Sequence, residues 1–473
     1  MDEAVVDLVI IGAGPAGICA ALEASAQGLK VVLLDEQASP GGQIYRNVAL
    51  VDAQTRHVLG AEYEAGLDLV KALLASNVRY QPNAAVWQVS DDCRVHFLAS
   101  GRARVVQGRR LLIATGAMER PMPIPGWTLP GVMTAGAGQI LLKSAAMAPR
   151  GPVVLAGCGP LLYLLAVQYL RAGIHIEALV DTSARWAALR HLRLLASGLA
   201  GWRDLLKGIS LLTTLKRAGV RHYYAARNLR VQGEQQAEAL GFDCKGQAHV
   251  VRTSLILLHQ GVVPNTQVSQ SLRLLHDWNE QQLCWVARRD SWGETSAPAI
   301  YIAGDGGSIG GAQVAMTQGR LAALGIARSL EKIDQAGLNR LAEPWRRTLH
   351  RQSAARPLID ALYRPKAQQR IPEDDTIVCR CEEVSAGAIR QYVDLGCLGP
   401  NQTKAFGRCG MGPCQGRLCG LSVTEIIARH RRVAPAEVGY YRIRPPLKPI
   451  TLAQLASERE LDLPASPISE PHP

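Results

Sequence analysis

Hydrophobic and polar positions at the start of the chain predict a strand, a tight turn, a helix and a second strand. Residues 5–11 are an apolar run rich in β-branched side chains, which is typical of a strand buried on both faces. The glycine-rich segment 12–17 follows, then an alanine-rich stretch with helical spacing, and then a second apolar run at 31–34 that ends in Asp35 and Glu36. We therefore expect a βαβ unit with a glycine turn.

The glycine turn has the G-x-G-x-x-G spacing of a dinucleotide-binding site. Gly12 would make the tight turn, Gly14 would let the backbone approach a pyrophosphate, and Gly17 would let the helix pack closely on the strand. The helix N-terminus would face the phosphates with free N–H groups. Asp35 is placed to bind the adenosine ribose, with Glu36 less favoured, and the alternative is a turn that binds nothing. The residues predicted to contact a cofactor here are Gly12, Gly14, Pro15, Ala16, Gly17, Asp35 and Glu36.

Three later segments carry glycines or strand ends that suit the same site. A glycine pair lies in 38–46, although an ordinary loop explains it nearly as well, and apolar strands end at 114–116 and 304–305. Asp305 could bind the hydroxyls of a sugar-like chain, and the helix that starts near Gly311 could stabilise negative charge on a reduced ring. Those are the requirements of a flavin. The predicted contacts are Gly42, Gln43, Ala114, Thr115, Gly116, Gly304, Asp305, Gly311 and Ala312.

A second nucleotide-type unit begins at residue 151. Its apolar run at 153–170 approaches the length of a membrane span, but central glycines favour a strand, a turn and a helix. Gly157 and Gly159 repeat the first motif, a terminal Asp181 follows, and Leu162 replaces the third glycine. A leucine there would push the helix and the strand apart. Two alternatives therefore stay open: a site for NAD(P) or ATP, or a degenerate domain without a ligand.

Six of the eleven cysteines fall between residues 379 and 419. We expect no secretory signal in this sequence, so the crowding favours a metal site over disulfides. Four thiolates indicate zinc or an iron–sulfur cluster. The C-x-C spacing of Cys379 and Cys381 fits zinc poorly, and the glycines around Cys409 and Cys414 free N–H groups for hydrogen bonds to sulfides. Iron–sulfur is favoured, with zinc or an empty site as the alternatives.

The overall charge adds little about function. The 473 residues are enough for about three domains, and the net charge is +12. Between residues 185 and 230 basic side chains recur with Asp204 as the only acid, which predicts either a basic helix pair on a membrane or partner, or a solvated face. No nucleic-acid motif accompanies the charge, so nucleic acid is not expected as a partner. We expect a cytoplasmic protein, with peripheral association at the inner membrane as the alternative.

The order of these motifs resembles that of the two-dinucleotide-binding-domain flavoprotein family, over roughly residues 5–330. The resemblance implies an α/β fold with two Rossmann-like, three-layer domains of the glutathione-reductase type. It also implies FAD in the first and last pieces and a middle domain that binds, or once bound, NAD(P). Related disulfide reductases carry a redox cysteine pair near the flavin, which this chain lacks before residue 379. Its earlier cysteines are isolated and are expected to be ordinary small residues: Cys19, Cys93, Cys158, Cys244 and Cys284.

Residues 377–420 resemble the small helical 2Fe–2S domain of the bacterioferritin-associated ferredoxin type. That resemblance implies four cluster ligands, Cys379, Cys381, Cys409 and Cys414. The C-x4-C spacing of the second pair is wider than the C-x2-C of the small ferredoxin itself, so Cys419 is a possible substitute. Cys397 is expected to be a bystander.

The segment G-M-G-P-C-Q-G-R and the closing Y-Y-R-I-R-P-P-L-K-P-I extend the resemblance to nearly the whole chain. They resemble the α-type subunits of opine oxidase, of hydroxyproline and proline dehydrogenases, and of hydrogen cyanide synthase. The resemblance implies an electron-transfer role, in which a partner flavoprotein oxidises the C–N bond and electrons pass on towards a respiratory acceptor. A small ferredoxin-like subunit is expected to be a further partner. The alternative is a self-sufficient NAD(P)H-dependent reductase, against which Leu162 argues. No general acid or base is identified, and His175 and His259 are expected to be structural.

The motif order also predicts the domain boundaries. Residues 1–120 and 290–335 would form the FAD-binding domain, and residues 121–289 the NAD(P)-binding-like domain. A helical linker at 336–371 would lead to the 2Fe–2S domain at 372–435. The remainder, 436–473, would be an extension whose last part, 452–473, is polar, rich in proline and serine, and expected to be disordered.

Overall fold

The computed structural model describes residues 5–183 and 202–460. The chain folds as an α/β protein in which the strands of two largely parallel sheets alternate with helices along the sequence. In chain order, its strands are β1 Val6–Ile11, β2 Val31–Leu34, β3 Arg79–Gln81, β4 Ala85–Val89, β5 Arg94–Ala99, β6 Arg102–Ile113, β7 Ala117–Glu119, β8 Val132–Thr134, β9 Val153–Cys158, β10 Ile176–Asp181, β11 His222–Tyr223, β12 Arg227–Gln232, β13 Ala239–Cys244, β14 Gln247–Arg252, β15 Leu255–Gln260, β16 Val262–Pro264, β17 His276–Asn279, β18 Cys284–Ala287, β19 Ile300–Ile302, β20 Ile377–Cys379, β21 Val384–Ser385 and β22 Arg459–Glu460.

The helices connect these strands and form most of the C-terminal third of the chain. A 3-10 turn at Gly304–Gly306 follows β19. In chain order, the α-helices of the described residues are α1 Pro15–Ala26, α2 Ala53–Leu59, α3 Ala61–Glu64, α4 Gly66–Leu74, α5 Ala135–Ala145, α6 Pro160–Arg171, α7 Trp202–Arg217, α8 Gln267–Ser271, α9 Ala312–Ser329, α10 Gln335–Ser353, α11 Arg356–Leu362, α12 Ala367–Arg370, α13 Ala386–Asp394, α14 Pro400–Gly407, α15 Gly420–Arg431, α16 Pro435–Val438 and α17 Leu452–Ala456.

In the first sheet, the carboxyl ends of β1, β2, β6 and β19 lie side by side. Its parallel strands have the order β3-β2-β1-β6-β19. Ile11 pairs with both Leu34 and Ile113, and Ile113 pairs with Ile302. The segments that follow these strands therefore start at the same edge, the carboxyl edge, where α/β sheets bind their ligands.

Both faces of this sheet are buried, which explains why its strands are continuous apolar runs. Leu8 and Ile10 belong to one apolar core, and Val9 and Ile11 belong to another. On the first face, α1 and α9 cross so closely that a Cβ atom at Gly319 would lie 2.1 Å from the backbone oxygen of Ala16. The glycine is therefore required for this helix packing.

The middle domain is built around a second parallel sheet with the order β11-β10-β9-β15-β8. Gly157, at the end of β9, pairs with Asp181 on one side and with His259 on the other. The antiparallel strands β12, β13 and β14 cover one face of the sheet through an apolar core that contains Val154, Val180 and Phe242. The middle sheet thus repeats the plan of the first, with its own carboxyl edge.

The segment from α11 to α12 links the middle domain to the cysteine-rich unit. The Gln260 side chain, at the end of β15, donates a hydrogen bond from Nε2 to the Gln369 carbonyl (3.1 Å). The next residue, Arg370, forms a buried ion pair with Glu425 on α15 of the cysteine-rich unit. The segment therefore contacts both units.

The cysteine-rich unit consists of the β20–β21 hairpin and helices α13 to α15. Its core residues Val378, Ile389 and Ile426 belong to the same apolar cluster as Val9 and Ile11 of the first sheet. The unit is therefore packed directly on the sheet that carries the first glycine turn.

Most elements predicted from the sequence are confirmed. The α/β fold with two Rossmann-like sheets is as expected, and the run at 153–170 is β9 followed by α6. Of the basic stretch at 185–230, residues 184–201 lie outside the described residues, and α7 follows. No helix of the described residues is both long and apolar enough to cross a membrane. Membrane-surface association stays a prediction.

The predicted disorder of residues 452–473 is wrong for residues 452–460. These residues form α17 and β22, and β22 pairs with the edge of β6. Polar side chains secure the contact, because Ser457 Oγ accepts a hydrogen bond from the Ala103 N–H (3.1 Å) and His96 lies 2.6 Å from Glu458. An unpaired strand edge accepts a further strand readily, even a polar one. Residues 461–473 lie outside the described residues.

Candidate functional site

The first glycine turn excludes side chains at two of its three glycines. Gly12 follows β1 with a φ of +106°, and a Cβ atom there would lie 2.5 Å from the Ala114 oxygen. A Cβ atom at Gly17 would lie 1.9 Å from the Gly12 oxygen. Gly14 is the N-cap of α1, so the helix begins at Pro15, directly after the turn. This is the close approach of strand, turn and helix that a dinucleotide pyrophosphate needs.

The loop with the glycine pair lies on this turn. The Gly41 N–H donates a hydrogen bond to the Ala13 oxygen (2.8 Å), and a Cβ atom at Gly42 would lie 2.7 Å from the Gly14 Cα atom. Gly42 has a φ of +61°. The sequence allowed two interpretations of this loop: it lines the cofactor site, or it is an ordinary loop. These contacts favour a loop that lines the site.

A buried lysine of the middle domain holds the same loop, and no sequence motif indicated it. Lys143 on α5 is 3% exposed, and its Nζ donates hydrogen bonds to the Gln43 carbonyl (3.0 Å) and to the Gln139 side chain (2.9 Å). Burial lowers the pKa of Lys143 to about 7. In the sequence, the only indication of this role is that Lys143 lies on the last turn of an apolar helix.

The two candidate ribose-binding acids have different environments. Asp35 is buried, and its carboxylate accepts hydrogen bonds from the N–H groups of Ala13 (2.5 Å) and Gln37 (2.7 Å). Burial raises the pKa of Asp35, and these hydrogen bonds oppose the rise. Glu36 is half-exposed and forms an ion pair with Lys448 of the C-terminal extension. Asp35 is therefore the acid that faces the glycine turn.

The segment after β19 completes this edge of the sheet. Asp305 Oδ1 accepts hydrogen bonds from the N–H groups of Gly310 (2.8 Å) and Gly311 (2.9 Å), which shapes the loop that leads into α9. A Cβ atom at Gly306 would lie 3.4 Å from the Gly116 nitrogen, and one at Gly304 would lie 2.8 Å from the Ala16 Cβ atom. The structure thus brings all four segments predicted from the sequence to one place. Their predicted site residues are Gly12, Gly14, Pro15, Ala16, Gly17, Asp35, Gly42, Gln43, Ala114, Thr115, Gly116, Gly304, Asp305, Gly311 and Ala312.

A half-buried arginine under the Asp305 loop was also missed. Arg289 donates hydrogen bonds to the Ile302 carbonyl (2.8 Å), to Ser308 Oγ (3.1 Å) and to Gln318 Oε1 (3.3 Å). Gln318 Oε1 also accepts a hydrogen bond from the Gly304 N–H (3.0 Å). Burial lowers the pKa of Arg289 to about 10, which leaves it charged at neutral pH. In the sequence this residue is one of two adjacent arginines, so nothing distinguishes it from a surface charge.

The second glycine turn forms with the same tight contact to a neighbouring strand as the first. Gly157 has a φ of +132°, and a Cβ atom there would lie 1.6 Å from the His259 oxygen. Leu162, at the position of the third glycine, is fully buried on α6. The turn geometry therefore survives without the close helix packing of the first unit.

The acid of the second unit is bound by protein groups. Asp181 accepts hydrogen bonds from the Tyr163 hydroxyl (2.5 Å) and from the N–H (2.7 Å) and hydroxyl (2.6 Å) of Ser183. His222 lies 3.5 Å from the same carboxylate. Burial, followed by the nearby Asp181 charge, raises the pKa of Tyr163, which keeps its hydroxyl proton available to donate.

A distant part of the chain covers this second site. The ring of Tyr363 lies 5.9 Å from the ring of Tyr163. The Cys158 thiol, inside the second G-x-G turn, donates a hydrogen bond to the Tyr363 carbonyl (3.5 Å). The segment that joins α11 to α12 therefore lies against the turn where a second nucleotide would bind.

His259 and His175 make contacts that suit structural roles. His259 is buried, with Nδ1 2.5 Å from Glu119, and Glu119 also accepts a hydrogen bond from the Gly136 N–H at the start of α5 (2.8 Å). His175 is exposed beside Glu177. Both residues belong to the middle domain, away from the first glycine turn.

Three cysteine thiols converge inside the C-terminal unit. The sulfur atoms of Cys379, Cys409 and Cys419 lie within 4.8 Å of one another, and all three residues are buried. Cys381 is exposed and contacts Cys414, which is half-buried. Of the four ligands predicted by resemblance, the structure thus places two in the buried group and two in a neighbouring pair, with Cys419 added to the first group.

Several donors point to these sulfur atoms. The Tyr441 hydroxyl lies 3.5 Å from Cys409 Sγ, and backbone N–H groups of Gly410 and Glu382 interact with the Cys379 sulfur. Hydrogen bonds from the thiols of Cys409 and Cys419 lower the pKa of Cys379 to about 2. Sulfur ligands of one tetrahedral metal lie roughly 3.8 Å apart, as expected for metal–sulfur bonds of about 2.3 Å. The spacing therefore fits a metal or an iron–sulfur group.

The remaining cysteines match their expected roles as small residues. Cys397 is buried, and its thiol donates to the Gly399 carbonyl (3.3 Å), away from the thiol group described above. The five earlier cysteines form no disulfide and are buried. Burial raises the pKa of Cys93 and of Cys284 to about 11, so these thiols are protonated and unreactive at neutral pH.

Two family models match the chain. The model of the pyridine nucleotide-disulphide oxidoreductases matches residues 6–183, which include the first glycine turn. The model of the sarcosine oxidase A3 domain matches residues 373–459, which include the cysteine-rich unit. The crystal structure of L-proline dehydrogenase from P. horikoshii has the same fold, with a TM-score of 0.69 at 19% identity over 96% of this chain and 80% of that one.

Relatives match over almost the full length. The A subunit of opine oxidase from Agrobacterium tumefaciens (strain Ach5) is 44% identical over 464 residues, which are 95% of this chain and 91% of that protein. The HcnB subunit of hydrogen cyanide synthase from Pseudomonas aeruginosa is 32% identical over 456 residues, 93% of this chain and 96% of that protein. This chain is therefore an FAD-dependent oxidoreductase that belongs to the family of the opine oxidase A subunits.

Proposed function

We propose that this chain is the electron-transferring subunit of a heteromeric amino-acid dehydrogenase that oxidises a C–N bond and passes the electrons to a respiratory acceptor. The observation that carries the proposal is the contrast between its two dinucleotide-type sites. Four segments converge on the first glycine turn, whereas Tyr163 and Tyr363 occupy the second. The full-length relatives are themselves named as subunits, which supports a role within a larger enzyme.

In this proposal, FAD lies along the carboxyl edge of the first sheet. The pyrophosphate would bind at the turn of Gly12 and Gly14, and Asp35 would bind the adenosine ribose. Asp305 would bind the ribityl hydroxyls, and the N-terminus of α9 at Ala312 would stabilise negative charge on the ring. FAD there would accept electrons in pairs and release them singly. The cations Arg289 and Lys143 would hold the two loops in place.

A 2Fe–2S cluster is the second proposed cofactor. Cys379, Cys381, Cys409 and Cys414 would be its ligands, as the resemblance to the small ferredoxin domain implies. The buried thiols and the neighbouring pair fit a group that needs two thiolates on each of two irons. The cluster would supply a one-electron carrier. The proposed domain division has a linker at 336–371 and the cluster domain at 372–435.

The proposed partners follow from the relatives, which are named as subunits of larger enzymes. In this proposal a second flavoprotein subunit would oxidise the amino acid. A small ferredoxin-like subunit is a further proposed partner. Opines, proline and hydroxyproline are the substrate candidates, since the relatives and the structural neighbour include enzymes named for opines and proline.

The alternative, a self-sufficient NAD(P)H-dependent reductase, needs an open second site. Leu162 removes the close helix packing of that turn, and the Asp181 carboxylate is already bound by Tyr163 and Ser183 where a ribose would need it. These contacts weigh against the alternative.

The test is substrate-dependent reduction of the flavin in the reconstituted complex. The chain would be co-expressed with its substrate-oxidising partner, and the anaerobic complex would be titrated with an opine, proline and hydroxyproline while flavin absorbance is followed. We expect bleaching with at least one of these compounds in the complex and none in the isolated chain. Bleaching of the isolated chain by an amino acid would contradict the proposed division of labour.

A further inference from the structure

A strap of the C-terminal extension, residues 440–448, runs from the cysteine-rich unit to the domain of the first glycine turn. The Leu447 N–H donates a hydrogen bond to the Trp87 carbonyl on β4 (2.7 Å), and Lys448 forms its ion pair with Glu36. Neither the proposed cluster domain nor the proposed FAD site includes this strap. Its contacts with the cysteines are therefore a feature that the proposed function does not yet use.

One side chain of the strap, Tyr441, fills the bend of the loop that carries Cys409 and Cys414. Tyr441 is 1% exposed. A Cβ atom at Gly410 would lie 2.4 Å from the Tyr441 Cζ atom, and one at Gly416 would lie 2.6 Å from its Cδ2 atom. Side chains at these two positions would displace the ring. The loop is thus folded around the tyrosine.

The Tyr441 hydroxyl lies against Cys409. It is 3.0 Å from the Cys409 carbonyl oxygen and 3.5 Å from the Cys409 Sγ atom, which is within hydrogen-bond range for the larger sulfur atom. Thr403 Oγ1 lies 3.3 Å away, and its own proton is donated to the Pro400 carbonyl (2.7 Å). Cys409 therefore supplies the closest acceptor for the Tyr441 proton.

The charge of a ligating thiolate would draw this proton towards the sulfur atom. Hydrogen bonds to ionised acceptors are shorter and stronger than those to neutral ones. Both acceptor atoms belong to Cys409, so a small rotation of the O–H bond moves the proton from one to the other. The buried surroundings strengthen such a bond, because little water competes for it.

We infer that Tyr441 is a positioning residue of the proposed 2Fe–2S cluster, whose ring holds the cysteine loop and whose hydroxyl donates to the Cys409 sulfur. This inference rests on the proposed cluster. A hydrogen bond to a ligand sulfur stabilises the more negative, reduced cluster, so Tyr441 would raise the reduction potential. Phenylalanine would keep the ring and remove the donor, whereas leucine would remove both.

The experiment compares Tyr441→Phe and Tyr441→Leu with wild type, in full-length protein. Tyr392→Phe is the matched control, because it removes a hydroxyl of the same unit that lies against Gly407. The measurements are iron and acid-labile sulfide content, and the midpoint potential by dye-mediated titration. We expect Tyr441→Phe to keep the full iron and sulfide content with a more negative midpoint potential. We expect Tyr441→Leu to lose iron and sulfide, and Tyr392→Phe to match wild type.

The outcomes separate this inference from the proposed function. Wild-type protein without iron and sulfide would overturn the proposed cluster and the inference with it. A wild-type cluster whose potential is unchanged in Tyr441→Phe, or shifts equally in Tyr392→Phe, would overturn the inference alone. Full cluster content in Tyr441→Leu would overturn the role of the ring.

A second measurement decides if Tyr441→Phe does not retain the cluster. A fluorinated tyrosine introduced at position 441 keeps the ring and has a more acidic hydroxyl, which donates more strongly. We expect its midpoint potential to be more positive than that of wild type. An unchanged potential would show that the hydroxyl does not donate to the ligand sulfur.

Discussion

The two dinucleotide-type units of this chain share a sequence plan and differ in what surrounds it. Each has a strand, a G-x-G turn, a helix and a strand followed by or ending in an aspartate. In the first unit the third position is Gly17, and the Asp35 carboxylate accepts hydrogen bonds from backbone N–H groups. In the second it is Leu162, and the Asp181 carboxylate is bound by the Tyr163 hydroxyl. The glycine spacing thus determines the turn, while side chains beyond the motif determine whether a ligand can enter.

The second difference comes from chain connectivity. The carboxyl edge of the first sheet is lined by loops of its own domain, with Gly42 on Gly14 and Gly306 beside Gly116. The carboxyl edge of the second sheet is lined by a segment that arrives some distance later in the chain and places Tyr363 against Cys158. A nucleotide fold can therefore be kept as a scaffold while its site is filled from outside.

The largest expected effect is at Gly17, where the first unit has no room for a methyl group. We expect Gly17→Ala to be purified without FAD, because its Cβ atom would lie 1.9 Å from the Gly12 oxygen and backbone cannot yield cheaply. A cost of about 3 kcal/mol corresponds to an affinity loss of about 150-fold. The measurement is flavin content by absorbance, followed by FAD titration of the apoprotein. Gly151→Ala, at a site with nothing within 4 Å, is the control and should bind FAD normally.

Substitution of Leu162, the equivalent position of the second unit, should lower the free energy of unfolding but leave FAD affinity unchanged. Leu162 is fully buried, so Leu162→Ala leaves a cavity that costs about 2–5 kcal/mol of unfolding free energy. Denaturant unfolding of wild type and variant measures that cost. If Leu162→Ala instead lowered FAD affinity as strongly as Gly17→Ala, the two units would not be functionally separate.

Replacement of the two aspartates should also weaken FAD binding only at the first unit, and by less than Gly17→Ala does. An asparagine at position 35 would turn an NH₂ group towards the Ala13 or Gln37 N–H and lose one hydrogen bond, at a cost of about 1–3 kcal/mol. We expect Asp35→Asn to bind FAD about tenfold more weakly. Asp181→Asn should bind FAD as wild type does, as measured by the same titration. Equal losses in both variants would remove the distinction drawn between the two sites.

The last expected effect is a pH dependence that arises at Lys143, where the two domains meet. The folded-state pKa is lowered to about 7 from an ordinary value of 10.5, so between these values the unfolded chain holds one more proton than the folded chain. Stability contributed by this group therefore rises with pH above about 7 and levels off near 10.5. Lys143→Met should remove that rise, so wild type should gain stability relative to the variant between pH 7 and pH 9 in denaturant unfolding. A constant difference across this range would show that Lys143 is not buried as described.

Much of this comparison was predictable from the sequence, because strand ends and glycine turns are local patterns. Asp35, Asp305 and the helix start at Gly311 were all placed from short motifs, and the structure brings them together. Arg289 and Lys143 were not predictable, because their roles depend on loops that are distant in sequence. At the second site the sequence indicated the replacement of the third glycine by Leu162, but it did not indicate the contact with the segment at Tyr363.

The cysteine-rich unit shows the same limit. The crowding of cysteines indicates a metal-type site from the sequence alone. Spacing cannot decide among Cys409, Cys414 and Cys419, because the turns between them and the start of α15 determine which sulfur atoms meet. Likewise, the polar composition of 452–460 predicts disorder, whereas an edge of β6 orders it.

The most direct test of the central claim is an anaerobic titration of the purified, FAD-loaded chain with NADH and then NADPH, followed by flavin absorbance. Because Tyr163 and Tyr363 lie at the second site, we expect no bleaching at micromolar concentrations of either nucleotide. The same sample, mixed with its substrate-oxidising partner and an amino-acid substrate, should bleach. Prompt bleaching by NADH or NADPH alone would show an open nicotinamide site and would contradict the proposed electron-transferring role.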